Sequence, residues 1–140
     1  MEPQITVITV GVSDLERSLE FYRDGLGWPT DGIVGTEFEG GAVAFFPVQN
    51  DLQLALYPKQ QIAADANVDE TPPSSAEFTL DHNVASKEEV EDVIRTAEQA
   101  GGKITDPPRD RDWGGYSGHF TDLDNHLWEV VWNPQIEIEA

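Results

Sequence analysis

A single carboxylate, Glu129, lies in an otherwise apolar segment near the C-terminus, the stretch LWEVVW. Period-two alternation along a β-strand places Leu127, Glu129 and Val131 on one face and both tryptophans on the other. If the tryptophans pack against helices, Glu129 points into a pocket. There a carboxylate suits a general acid or base, or a hydrogen-bonding anchor for a ligand. In the structural alternative, Glu129 pairs with a buried polar side chain and only shapes the pocket wall.

Four other polar side chains on predicted strands are expected near this pocket. They are Thr9 on the first strand and Thr79, Asp81 and Asn83, which share one face of the stretch FTLDHNV. We predict that they bind a ligand; in the structural alternative, Thr9, Thr79 or Asn83 pairs with Glu129. A metal site built from Glu129 with Asp81 or Asn83 is a weaker alternative, because oxygen-only sites usually need several converging ligands.

The segment DPPRDRDWGGYSG combines cations, aromatic rings and glycines. Arg109 and Arg111 are two of only five arginines, and Trp113 and Tyr116 follow them. Such a loop, hinged at its glycines, could form a rim over the pocket and meet an anionic or planar ligand. The competing interpretation pairs each arginine with an acidic neighbour such as Asp110 or Asp112.

The three histidines are weaker candidates. His82 alternates with apolar residues and is expected at the helix side of its strand. His119 and His126 flank a predicted hairpin, and we expect them to face water. An acid–base or weak metal site formed by this pair with Asp122 or Asp124 is an alternative that the spacing does not require.

The composition of the chain limits its possible partners and its cellular location. The chain has 140 residues, 27 acidic against 8 basic side chains, a net charge of −19, and no cysteine. Such a surface repels phosphate backbones and anionic lipids, so neither nucleic acid nor a membrane is an expected partner. Dispersed acids with few lysines suggest a halophilic protein. The first residues carry no basic leader and no apolar run approaches the ~20 residues of a membrane span, so we expect a cytoplasmic protein.

The elements that carry these residues occur twice. A β-branched run (residues 5–12) precedes a helix capped by Ser13 or Asp14, and a second strand (residues 78–84) precedes a helix with the capping box Ser86/Glu89. Each helix is followed by short strand candidates. The pattern predicts an α+β domain of residues 1–140 made of tandem β-α-β-β-β modules, about 4–58 and 76–134, joined by the linker 60–75.

The stretches VSDLERSLEFYRDGLGW and WGGYSGHFTDLDNHLWEVVWNP resemble the vicinal oxygen chelate superfamily of glyoxalase I, bleomycin-resistance proteins and extradiol dioxygenases. This resemblance implies a curved mixed sheet around a cavity, with the helices on the outer face. Asn125 replaces the glycine usual in the family's late hairpin, and asparagine tolerates the positive φ required there. The resemblance also implies a small-molecule ligand and allows a homodimer.

Metal-dependent relatives place a ligand on the first and last strand of each module. Here those positions are expected at Val7, Leu54, Thr79 and Glu129, of which only Glu129 is a strong ligand. We therefore predict a small-molecule-binding protein with no metal cofactor. The alternative is a glyoxalase-I-like lyase or isomerase, or a related metal-dependent enzyme, that uses Glu129 as a catalytic residue. An extradiol dioxygenase is less favoured because its iron needs two histidines and a carboxylate.

Overall fold

The computed structural model describes residues 1–72, 74 and 77–138. The chain divides into two compact units, Met1–Pro72 and Pro73–Ala140. Of the predicted linker and second module, positions 73, 75 and 76 lie outside the described residues.

The first unit contains a four-stranded mixed sheet. Strand β1 is parallel to β4, and the other pairs are antiparallel, in the order β1-β4-β3-β2. The elements are β1 (Val7–Val12), α1 (Leu15–Leu19) continued by a π-helical segment (Glu20–Gly25), β2 (Ile33–Val34), β3 (Val43–Gln49), β4 (Leu52–Pro58) and α2 (Lys59–Ala66).

Helix α1 begins where the sequence predicted. The Asp14 side chain accepts a hydrogen bond from the Arg17 amide, which satisfies one of the free donors of the first turn. Phe21 and Tyr22 in the π-helical segment are buried, and the Tyr22 ring lies 5.8 Å from that of Phe46 on β3. These contacts fix the α1 side of the first sheet.

Helix α2 covers residues 60–66 of the segment that the sequence predicted as a linker. It follows β4 directly and ends at Asn67, whose φ of 56° gives a left-handed cap. It packs on β1 at Gly11, where an added Cβ would lie 2.9 Å from the Lys59 Cβ. This helix was not predicted from the sequence, because its weak apolar periodicity resembles that of a polar connection.

The second unit repeats the arrangement, with strand order β5-β8-β7-β6 and a parallel β5–β8 pair. The elements are β5 (Leu80–Val84), α3 (Lys87–Gln99), β6 (Lys103–Asp110), β7 (Tyr116–Thr121) and β8 (Leu127–Trp132). The predicted α+β class and the tandem β-α-β-β-β arrangement are confirmed, as two four-stranded mixed sheets. No helix among the described residues is long and apolar enough to cross a membrane.

Helix α3 determines which face of the second sheet is covered. It starts at the predicted capping box, in which the Ser86 hydroxyl accepts from the Glu89 amide and the Glu89 carboxylate accepts from the Ala85 amide. The Lys87 ammonium on α3 lies 5.7 Å from the Trp132 ring centroid. The α3 face therefore carries Trp132 and, by alternation, the buried Trp128 and Val130.

We call the opposite side of this sheet the distal face. Its residues alternate with those that contact α3, and the strand register aligns them. They are Asp81, Asn83, Asp106, Ser117, His119, Glu129 and Val131. Glu129 and the two tryptophans of β8 therefore point to opposite faces of the sheet, as predicted.

The segment that was predicted as a loop is largely β-structure. Strand β6 runs through Asp110, and β7 starts at Tyr116. Two prolines interrupted the strand pattern in the sequence, but β6 is an edge strand with register shifts on both sides of Asp106. Proline is tolerated at such edges and bulges because no ladder hydrogen bond is lost there. Asp106 is thereby held beside β7.

Candidate functional site

Four polar residues form a row across the distal face, one from each strand of the second sheet. Asp81 on β5 is the register partner of Glu129 on β8, Glu129 is the partner of His119 on β7, and His119 is the partner of Asp106 on β6. Neighbouring strands lie about 4.8 Å apart, so directly opposed side chains on one face are in reach of each other. Glu129 therefore has His119 and Asp106 on its face of the sheet in addition to Asp81, which the sequence had already placed near it.

His119 lies at the centre of the row. Its Nδ1 is 3.0 Å from Asp106 Oδ2, and its Nε2 is 3.7 Å from Glu129 Oε2. The side chains of His119 and Glu129 are 22% and 24% exposed, so both are shielded but reachable by solvent. This role of His119 was not predicted from the sequence, although hairpin pairing around the Asp122–His126 turn would have placed His119 opposite Glu129.

Asp106 is held by two arginines. Arg111 Nη2 donates to Asp106 Oδ2 at 2.6 Å, and Arg109 Nε donates to Asp106 Oδ1 at 3.2 Å. The hydrogen bond from Arg111, with smaller contributions from His119 and Arg109, lowers the pKa of Asp106 to about 2. Asp106 is therefore an anion at neutral pH.

Arg111 is fixed on its other side as well. Its Nε donates to the Ser117 hydroxyl at 2.7 Å, its Nη2 donates to the Ser117 carbonyl at 2.9 Å, and its side chain is only 13% exposed. Arg109 is 63% exposed. Both arginines therefore pair with an acidic residue, as in the competing interpretation, but that residue is Asp106 and not Asp110 or Asp112. Only Arg109 presents much of its side chain to a ligand.

The other polar residues that the sequence placed near the pocket differ in their strand positions relative to Glu129. Asp81 is its direct partner, and the Thr79 hydroxyl donates to Asp81 Oδ1 at 2.7 Å. Asn83 lies two residues further along β5, opposite Val131. Thr9 belongs to the first unit, where its register partner is Ala55.

The aromatic candidates do not join the row. Tyr116 pairs with Trp132 and its hydroxyl donates to Glu91 on α3 at 2.7 Å, so it belongs to the α3 face. Trp113 is 54% exposed, and its ring lies where a Cβ on Gly115 would be. The structure therefore does not place Tyr116 with Glu129, and Trp113 lies in the short connection before β7.

The two hairpin histidines have separate partners. His126 Nδ1 lies 2.6 Å from Asp122 Oδ2, and Asp122 Oδ1 accepts from the amides of Asp124 and His126. Asn125 takes the predicted positive φ, 66°. Asp122 thus stabilises the turn, and its contact with the His126 ring is part of that arrangement. His119 instead contacts Asp106 and Glu129. His82 lies on the α3 side of β5, and burial lowers the pKa of its imidazole.

One predicted metal position requires a correction. Leu54 is buried and pairs with Phe46 on the α1 side of the first sheet, so it is not the counterpart of Glu129. The register pair Asp81/Glu129 of the second unit corresponds to Thr9/Ala55 of the first. The sequence comparison was wrong by one residue, because matching the two final strands by residue type ignored their pairing with β1 and β5.

The residues at the four family positions do not fit a divalent metal. The first unit provides Val7 and Ala55, and the second provides Thr79 and Glu129. Aliphatic side chains have no donor atom, and a neutral hydroxyl is a poor ligand. Within residues 1–72, 74 and 77–138, no group of three or more His, Cys, Asp or Glu side chains is arranged to hold a metal ion.

The first unit contains a separate depression of about 440 Å³. Phe45 and Gln53 contribute to it from the side of the first sheet opposite Phe46. Its complete lining is Pro29, Thr30, Asp31, Gly32, Val34, Phe45, Pro47 and Gln53. This surface combines apolar contacts with the Asp31 carboxylate, the Thr30 hydroxyl and the Gln53 amide, and it contains no acid–base pair.

Comparisons with known proteins agree with the fold. Residues 4–130 match the family model described as the Glyoxalase/Bleomycin resistance protein/Dioxygenase superfamily. A glyoxalase-related enzyme from Fulvimarina pelagi has 34% sequence identity and a TM-score of 0.83 over 99% of this chain and 94% of its own. No curated protein matches this chain.

Two more distant structures share the fold. A glyoxalase/bleomycin resistance protein/dioxygenase from Nocardioides is 23% identical, with a TM-score of 0.75, over 100% of this chain and 89% of its own. A lactoylglutathione lyase from Agrobacterium tumefaciens is 21% identical, with a TM-score of 0.68, over 99% and 100% of the two chains.

Proposed function

This chain belongs to the Glyoxalase/Bleomycin resistance protein/Dioxygenase superfamily, and on that premise we propose that it binds a small molecule on the distal face without a metal. The single observation that carries the proposal is the row Asp81, Glu129, His119 and Asp106. Hydrogen-bonding side chains replace a metal as the means of recognising polar ligand atoms. The absence of donors at Val7 and Ala55 supports the same conclusion.

The chemistry of the row selects the kind of ligand. Asp81 and Glu129 are hydrogen-bond acceptors, whereas the donors of Arg111 are already directed at Asp106 and Ser117. A ligand that contacts Glu129 must therefore bring its own hydroxyl or N–H group. Arg109, exposed at the edge strand, suits an anionic substituent of the same ligand.

A ligand screen with a charge-matched control tests the proposal. Thermal-shift measurements with methylglyoxal–thiol adducts, catechols and aromatic antibiotics identify compounds that raise the unfolding midpoint, because ligands of the folded state stabilise it. Glu129→Gln removes the central acceptor charge. Glu98→Gln on α3 removes the same charge from an exposed position away from the row.

The expected result is that a stabilising compound loses most of its shift in Glu129→Gln and keeps it in Glu98→Gln. Affinity for such a compound should fall about tenfold or more, as expected for the loss of one hydrogen bond to a charged group. If Glu129→Gln instead destabilises the protein strongly and binds the compound like the wild type, Glu129 belongs to the scaffold and the proposal fails.

A second candidate function is an acid–base enzyme, a lyase or isomerase that uses Glu129. The observation that favours it is the imidazole of His119 beside the Glu129 carboxylate. Turnover of a hemithioacetal by protein purified with a chelator, lost in Glu129→Gln, would support the enzyme. Binding without turnover would support the sequestering role.

A further inference from the structure

The hydrogen-bonding pattern around His119 defines its protonation state. A neutral imidazole carries one N–H. Asp106 is an anion and can only accept, so the proton belongs on Nδ1, which lies 3.0 Å from Asp106 Oδ2. Nε2 is then bare, and its separation of 3.7 Å from Glu129 Oε2 is too long for a direct hydrogen bond.

We propose that Asp106 and His119 form a proton-transfer pair, in which Asp106 orients the imidazole and Nε2 accepts a proton from a hydroxyl group of the bound small molecule. This inference rests on the proposed function, because it requires a ligand on the distal face. It adds an activity for His119, which the family's metal positions do not include, and makes Asp106 and Arg111 positioning residues.

The proton transfer is balanced within the site. The ligand O–H bond breaks, its electron pair stays on oxygen, and an N–H bond forms at Nε2. The neutral imidazole becomes an imidazolium, located between the carboxylates of Asp106 and Glu129.

The charges around His119 come from the other three strands of the sheet. Asp106 and Arg109 lie on β6 and Glu129 lies on β8, with Asp81 next to Glu129 on β5. Arg111, just beyond β6, faces Asp106 and Ser117. Arg111 and Arg109 neutralise Asp106, so Glu129 is the acid nearest to Nε2 and the one that a ligand hydroxyl would meet together with it.

The acidity of the donor limits the ligand class. An imidazole titrates near pH 6.5 and a phenol near pH 10. An aliphatic alcohol is a much weaker acid than a phenol, so its proton would not be transferred to imidazole to a useful extent. The site therefore suits a phenolic or enolic hydroxyl, with the planar part of the ligand lying on the sheet.

Nitrogen NMR of the full chain tests the arrangement directly. In ¹⁵N-histidine-labelled protein at pH 8, His119 should show a protonated Nδ1 and a bare Nε2. Asp106→Asn should remove this tautomer preference, whereas Asp110→Asn, an exposed change on the same strand, should leave it unchanged. A proton on Nε2, or an imidazolium at pH 8, in the wild type would overturn the proposal, because His119 would then have no free acceptor.

Chemical modification tests whether Nε2 is an active base. Diethyl pyrocarbonate, followed by mass spectrometry, should modify His119 at the bare Nε2. At pH 8 the rate should fall severalfold in Asp106→Asn, because the imidazole loses the acceptor that holds the proton on Nδ1 and leaves Nε2 bare. Arg111→Lys should give a smaller decrease and serves as a second variant if Asp106→Asn does not fold.

The two proposals fail in different ways. If His119 reacts slowly and independently of Asp106, the proton-transfer pair is wrong even when a ligand still binds through Glu129. The tautomer and reactivity of His119 can also be as expected while the binding of no screened compound depends on Glu129. In that case the proposed ligand-binding surface is wrong, and the Asp106–His119 pair still exists.

Discussion

The guanidinium of Arg111 donates to the carboxylate of Asp106 at a distance of 2.6 Å, and its side chain is only 13% exposed. The same guanidinium donates to Ser117 on β7, which fixes the end of β6 against β7, and the ion pair orients Asp106 toward His119. The same contact therefore has consequences for stability and for the chemistry of the distal face.

The first prediction concerns stability in acid. Because the pKa of Asp106 is lowered from 3.8 to about 2, its contribution is present above pH 4 and is lost as the pH falls toward 2. Asp106→Asn should lower the free energy of unfolding at pH 7 by about 2 kcal/mol, since the partly buried Arg111 loses its charged partner. Urea unfolding at pH 7, 4 and 2.5 measures this free energy. It should depend less on pH in the variant than in the wild type.

Asp110→Asn is the control for this prediction. Asp110 contacts Lys87 at the exposed end of β6, so the substitution removes one charge without touching Arg111. Equal losses of stability at pH 7 in the two variants would contradict the role assigned to Asp106.

The second prediction concerns His82. Burial lowers the pKa of its imidazole below 6.5 in the folded protein, so the unfolded chain binds more protons in weak acid. The stability that its neutral form contributes is present above pH 6.5 and falls as the pH drops through that value. Unfolding at pH 7.5 and 5.5 should show a smaller pH dependence in His82→Gln. An unchanged dependence would show that His82 is not responsible.

Sequence patterns predicted the repeated architecture because its signals are local. The caps at Asp14 and Ser86, the apolar face of α3 and the positive-φ turn at Asn125 each depend on a few neighbouring residues. The helix α2 was not predicted because it has little apolar periodicity and is held by tertiary contacts with β1 and β4.

The site was harder to predict because it depends on pairing between strands. Glu129 and Asp81 were recognised from alternation within single strands, whereas Asp106 and His119 join them only through register. The bulges on β6 and its two prolines hid that strand, and a one-residue error in matching β4 with β8 misplaced Leu54. Local patterns do not encode such long-range pairing directly.

The third prediction concerns the core beneath the distal face. Ile94 on α3 is buried against the second sheet, and Ile94→Ala should cost about 2–5 kcal/mol of unfolding free energy. Glu98→Ala, on the exposed side of the same helix, should change it by less than about 0.5 kcal/mol. Chemical denaturation measures both, and a small effect of Ile94→Ala would show that α3 is not packed as described.

The fourth prediction concerns salt. With a net charge of −19, the folded protein repels itself at low ionic strength, where the screening length is about 30 Å at 0.01 M. Its thermal midpoint should rise continuously as potassium chloride is increased from about 0.01 M to about 1 M, at which the screening length is about 3 Å. A midpoint that is the same at both ends of this range would remove the halophilic interpretation.

The most direct test of metal-independent recognition is calorimetric titration of the purified, chelator-treated chain with Ni²⁺, Zn²⁺, Fe²⁺ and Mn²⁺. With Val7, Ala55 and Thr79 at three of the four family positions, we expect no stoichiometric binding in the micromolar range, and the same weak response from Glu129→Gln. Tight binding of one ion per chain that Glu129→Gln abolishes would contradict the account and restore a metal-dependent enzyme.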